Sequence, residues 1–152
     1  MPDDTIRPRP RILVCEDGDE YTERFTRLLG RRYEFTRATS FGETRALLAA
    51  RSFAALILDL DFRRTPRALL LDEQLHEGAN EDDAPRLAAD QGVLLLRALR
   101  VAGVRLPALL CADFDDPARE RLLCAELDPL QIVPSSEGLS ELAARLPGPN
   151  HS

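Results

Sequence analysis

Glu16 and Asp17 follow the apolar run Ile12-Leu13-Val14-Cys15, and Asp59 follows Ala55-Leu56-Ile57-Leu58. Runs this short, rich in aliphatic and β-branched residues, read as strands buried on both faces, with the acidic side chains emerging at their carboxyl ends. In an open parallel sheet that edge is where ligands bind. Carboxylates gathered there repel one another unless a cation neutralises them, which points to a phosphate or divalent-metal pocket. The competing, purely structural reading is that each acidic residue caps a turn or a helix. The chain contains no lysine: all 20 basic residues are arginine, so no ammonium group is available to any site.

The elements that must position these residues follow from periodicity. Residues 1–10 hold three prolines and read as an extended lead-in. After the first strand, Tyr21, Phe25, Leu28 and Leu29 recur at helical spacing, with Gly30 as a stop. Tyr33 to Ala38 reads as a second strand. Ser40-Phe41-Gly42-Glu43 has capping-box spacing ahead of a helical stretch from Thr44 to Arg51. The third strand ends at Asp59. A connection from Phe62 to Asp90 then interrupts the alternation, carrying Arg63, Arg64, Arg67, a short apolar patch (Ala68 to Leu71) and the acidic Glu81-Asp82-Asp83. It is too long for an ordinary strand-to-helix loop and is read either as a lid or docking element or as a solvated excursion.

Beyond it, Asp90-Gln91-Gly92 opens a helix containing Val93, Leu94, Leu96, Leu99 and Val101. Leu106 to Ala112 is the fourth strand. Asp116-Pro117 is an N-cap with proline at the first helical position, starting a helix that runs to about Glu126. Gln131-Ile132-Val133 is a fifth strand, Ser136 caps a last helix through Leu146, and 147–152 is a tail. Five alternations of strand and helix call for a parallel sheet covered on both faces, in one domain over 11–146 with 62–90 inserted.

Bulk properties narrow the function. A net charge of -6 disfavours nucleic-acid binding, which requires a basic face. No apolar stretch reaches the length of a membrane span and no signal-peptide pattern opens the chain, so the expectation is a cytosolic protein with no membrane role. Cys15, Cys111 and Cys124 lack paired spacing and read as small buried hydrophobes rather than a disulfide framework or a zinc site. His76 and His151 form no constellation.

Together, Ile12 to Asp17, Asp59 with Leu60, Gly92 to Leu99 and Ile132-Val133 resemble landmarks of the response-regulator receiver domain. The resemblance implies a flavodoxin-like, doubly wound five-stranded parallel sheet of strand order 2-1-3-4-5. In that family an acidic pair binds a divalent cation and an aspartate accepts a phosphoryl group from a histidine kinase. Carried over by position, Glu16 and Asp17 match the pair, Asp59 matches the phosphoacceptor, and Asp61 falls where a main-chain carbonyl completes a Mg2+ shell. The partners implied are a histidine kinase or another signalling protein. A second copy of the chain is a further implied partner, through Pro117 to Leu146.

Departures from the family pattern carry equal weight. The hydroxyl expected at the end of strand four falls on Ala112, or on Cys111 if the alignment shifts by one. The lysine expected after strand five falls on Pro134, which has neither charge nor amide donor. Gln131 stands where an aromatic residue usually couples the hydroxyl to the output face. Arg63 or Arg64 is placed to fold back as an internal counter-ion.

Three functions follow. The leading one is an atypical receiver, not an enzyme, acting by protein contact without a conventional aspartyl-phosphate switch. The second is a single-domain response regulator phosphorylated on Asp59 with Mg2+. The third is a small phosphatase, because Leu58-Asp59-Leu60-Asp61 resembles the nucleophile motif of haloacid-dehalogenase-type enzymes and Asp115-Asp116 imitates their later acidic pair.

Overall fold

The computed structural model describes residues 8–78, 81–134 and 139–148. Most of the lead-in, Ser136, His151 and the end of the tail therefore lie outside the described residues. In chain order the elements are β1 (Arg11–Cys15), α1 (Glu20–Leu29), β2 (Glu34–Ala38), α2 (Phe41–Ala50), β3 (Ala55–Asp59), α3 (Ala84–Ala89), α4 (Gln91–Val101), β4 (Ala108–Cys111), α5 (Pro117–Glu126), β5 (Leu130–Val133) and α6 (Leu139–Arg145). The strands form one parallel sheet in the order β2-β1-β3-β4-β5. This is the doubly wound arrangement expected from the alternation of elements.

The two-residue period of the strands divides the core into two layers. Ile12, Val14, Ile57, Leu109, Cys111 and Val133 pack with Phe25 of α1 and Leu142 of α6. Leu13, Cys15, Leu56, Leu58, Leu110 and Ala112 share the other layer with α4, Leu123 of α5 and residues of the long connection. Chain ends of the helices follow local chemistry. Ser40 accepts the Glu43 N–H at 3.2 Å, while Glu43 reaches back one residue further than a capping box requires, to the Thr39 N–H at 2.6 Å. Asp116 caps α5 by accepting the Ala118 N–H at 2.9 Å.

The connection from Phe62 to Asp90 is anchored in the core at several of its described residues, so of its two readings a wholly solvated excursion does not hold, while Arg63, Arg64 and Arg67 to Leu69 stay exposed. Phe62, Leu70, Leu71, Leu87 and Ala88 are buried in the same cluster as Val93, Leu95 and Leu99. A single buried amide fastens it. Gln91 accepts the Leu71 N–H at 2.7 Å and donates through Nε2 to the carbonyls of Leu71 at 3.1 Å and Leu87 at 3.2 Å. This cover explains why α4 is apolar almost all round: Val93 through Leu96, with Ala98 and Leu99, are all buried. Gly92 is required where α4 crosses the end of β3. A Cβ there would collide with the Asp59 carbonyl oxygen and lie 2.9 Å from Leu60 Cα.

Candidate functional site

The carboxyl end of the sheet brings Glu16, Asp17 and Asp59 to one edge, as the apolar runs require, but gives each a different role. Glu16 is 1% exposed, and both of its oxygens are engaged by the start of α1. It accepts the Tyr21 N–H at 3.1 Å, the Thr22 N–H at 2.8 Å and the Thr22 hydroxyl at 2.6 Å. The N-cap residue Asp19 makes no side-chain cap bond, so Glu16 satisfies the free amides of the first turn, where the helix dipole also favours an anion.

Asp17 faces the connection after β3. Its Oδ2 accepts the Arg64 main-chain N–H at 2.7 Å, and its Oδ1 lies 3.5 Å from Arg64 Nη2. The same guanidinium grips Glu20 with two bonds of 3.0 Å, and this pairing pulls the Glu20 carboxyl down to about 2. Arg63 behaves differently from the sequence expectation. It is largely exposed and pairs with Asp61, accepted at Oδ1 through its main-chain N–H (2.9 Å) and at Oδ2 through Nε (3.0 Å) and Nη2 (2.5 Å). Of the two candidate counter-ions, Arg64 therefore turns onto Asp17 and Glu20, and Arg63 turns onto Asp61 in the loop.

Asp59 sits between these groups and β4. Its Oδ1 accepts the Leu60 N–H at 2.8 Å. Burial pushes its carboxyl up to about 6, opposed by the Leu60 hydrogen bond and reinforced by the nearby charge of Asp17. In register with Asp59 across the sheet is Cys111. Its side chain belongs to the α1 and α6 layer, whereas Ala112 belongs to the opposite layer. Burial raises the Cys111 thiol to about 12, with the charges of Asp59 and Glu16 adding to the shift. It is a poor donor and no nucleophile at neutral pH. Tyr21 is also raised to about 12, by its own burial and then by Cys111, Asp59 and Glu16. Pro134 follows β5, and the exposed Gln131 accepts from Arg145 Nη1 at 2.7 Å.

The family resemblance implies Mg2+ at this edge, and the arrangement does not fit it. Magnesium favours one or two carboxylates with free oxygens, plus water and phosphate. Here both Glu16 oxygens serve α1 and both Asp17 oxygens face Arg64. Among the described residues no group of three or more His, Cys, Asp or Glu is placed to hold a metal ion. Glu20, Tyr21 and Thr22 were not singled out as site residues from the sequence. The only signal for them was the position of Glu16 just ahead of the first helical turn.

Solved structures of response-regulator receiver domains share this fold. The fold is similar to the receiver domain of the Francisella response regulator 1452, at 14% identity and a TM-score of 0.63, covering 90% of this chain and 93% of that one. It is similar to a putative response regulator from Chloroflexus aurantiacus at 19% identity and 0.61, covering 91% and 94%. The BeF3-activated N-terminal receiver domain of Klebsiella pneumoniae RstA matches at 15% and 0.60, covering 89% and 93%. No family model matches the sequence, and no curated protein matches it. The chain has the flavodoxin-like fold of response-regulator receiver domains. No helix of the described residues is long and apolar enough to cross a membrane.

Proposed function

We propose that the chain is an atypical receiver-like signalling module that works by contact with a protein partner and not through a conventional aspartyl-phosphate switch. One observation carries this reading: the residue in register with Asp59 is Cys111, a buried thiol, and Ala112 beside it offers no hydroxyl either. Phosphoryl transfer depends on positioned groups that neutralise and then report charge on the transferred oxygens. With Pro134 after β5 and no lysine in the chain, neither the hydroxyl nor the ammonium is supplied. The partner is a histidine kinase or another signalling protein in the cytoplasm, with a second copy of the chain as a further partner. Incubation with Mg2+ and acetyl phosphate, followed by intact-mass measurement, should leave the mass unchanged. Stable, near-stoichiometric phosphorylation of Asp59 would overturn the proposal.

A second reading keeps Asp59 as a phosphoacceptor in a single-domain response regulator, favoured by the position of its carboxylate at the end of β3, fixed by the Leu60 N–H. That reading requires Mg2+ affinity that falls in both Asp59→Asn and Asp17→Asn. The phosphatase reading is weaker, since the second aspartate of its motif, Asp61, is held by Arg63 through three bonds and is not free to handle a proton.

A further inference from the structure

Asp17 and Glu20 stand close together on an edge that also carries Glu16 and Asp59, and Arg64 is aimed at the two of them. Asp17 is almost enclosed, its side chain 4% exposed, although the arginine that covers it is 57% exposed. The contact uses the main-chain N–H of Arg64 as well as the guanidinium, so it sets the path of the loop and not only the position of a flexible side chain. The chain also makes room for it. A Cβ on Gly18 would lie 2.5 Å from Arg64 Nη2 and 2.7 Å from its Cζ, and would collide with Glu20 Oε1. A planar fork that meets two carboxylates is what guanidinium does best, and a carboxylate group so paired no longer needs a metal.

We propose that Arg64 is the resident cation of this pocket: bridging Asp17 and Glu20, it neutralises Asp17 in the place of a divalent metal, so this side of the edge is closed and independent of metal. The inference deepens the reading of a switchless receiver and rests on that reading's placement of the carboxylates. It concerns the acidic side of the pocket, whereas the proposed function rests on the β4 and β5 side. The anchoring of the connection through Phe62, Leu71 and Gln91 keeps Arg64 over Asp17 without help from a ligand.

The test is Mn2+ binding, read by electron paramagnetic resonance of the free ion, with circular dichroism to confirm folding. The wild-type chain should show no binding that depends on Asp17. Arg64→Ala should acquire one site per chain, at least about tenfold tighter than wild type and lost in the double variant with Asp17→Asn. Gly18→Ala retains Arg64 but displaces its guanidinium, and should gain the same site. Asp17-dependent Mn2+ binding by the wild type would overturn the proposal, as would folded Arg64→Ala and Gly18→Ala variants that gain nothing. The readout is cation occupancy, so this result and the acetyl phosphate experiment can fail independently.

Discussion

Arg64 and Arg100 place the same guanidinium in opposite surroundings. Arg64 is more than half exposed and meets carboxylates at the carboxyl edge of the sheet. Arg100 is 6% exposed, and its partners are main-chain carbonyls: Leu127 through Nε at 2.9 Å, Val104 through Nη1 at 3.0 Å and Pro129 through Nη2 at 2.7 Å. Burial lowers the pKa of Arg100, whereas the pairing with Glu20 raises that of Arg64. The first arginine neutralises a site. The second fastens the end of α4 to the corner before β5, and its five fixed donors suit that task in a way a lysine would not. Substitutions should separate these roles, because desolvated hydrogen bonds cost most when one partner is removed, and exposed ion pairs cost little.

The largest effect belongs to Arg100. Arg100→Met takes a guanidinium donor from the Leu127, Val104 and Pro129 carbonyls, of which Pro129 keeps the Ala108 N–H, and should destabilise the fold by about 3 kcal/mol. Urea unfolding measures it, and a loss below about 1 kcal/mol would erase the contrast with Arg64. Next comes Gln91→Leu, which strands the Leu71 N–H and takes the Gln91 donor from the Leu71 and Leu87 carbonyls, the latter keeping the Asp90 N–H. A loss of about 2 kcal/mol is expected, with faster amide exchange at Leu71 and across the segment that carries Arg64. Unchanged exchange there would mean that Arg64 holds the connection and not the reverse.

A smaller effect concerns Asp59. Its folded pKa of about 6 lies above the ordinary 3.8, so the folded state binds more protons and stability falls as pH rises through that window. Asp59→Asn should therefore be more stable than wild type at pH 8, by roughly 1 kcal/mol once solvent screening is allowed for, with most of that difference gone at pH 4. Thermal melts at the two pH values check the sign. Glu20 acts in the opposite direction: with its pKa held near 2, its contribution is lost as pH falls through about 4.5 to 2. The smallest expected change in stability is that of Arg64→Gln, within about 1 kcal/mol in the same urea assay. A much larger loss would make Arg64 a structural fastening like Arg100.

Much of the fold could be read along the chain because it rests on local rules. The apolar runs before Glu16 and Asp59 became parallel neighbours, β1 and β3, and the Ser40 and Asp116 caps formed where their spacing places them. The Phe62 to Asp90 connection could not be read this way. Its buried residues Phe62, Leu70, Leu71 and Leu87 have no common period and lie among arginines and acids, so their burial depends on α4 being present to receive them. The same holds for Gln91 and Arg100, polar residues whose partners include Leu71, Leu127 and Pro129, 20 to 29 positions away.

At the acidic edge the division is equally physical. The sequence by itself pointed Glu16, Asp17 and Asp59 to the carboxyl ends of strands in a parallel sheet, since each follows a short apolar run. It also determined that no ammonium could join them. Only the tertiary structure decided what meets each carboxylate: the first turn of α1 for Glu16, Arg64 for Asp17, and the Leu60 N–H for Asp59, whose charge partial burial makes costly. Those partnerships depend on the direction of individual donors across long sequence separations, and composition and spacing carry no record of direction.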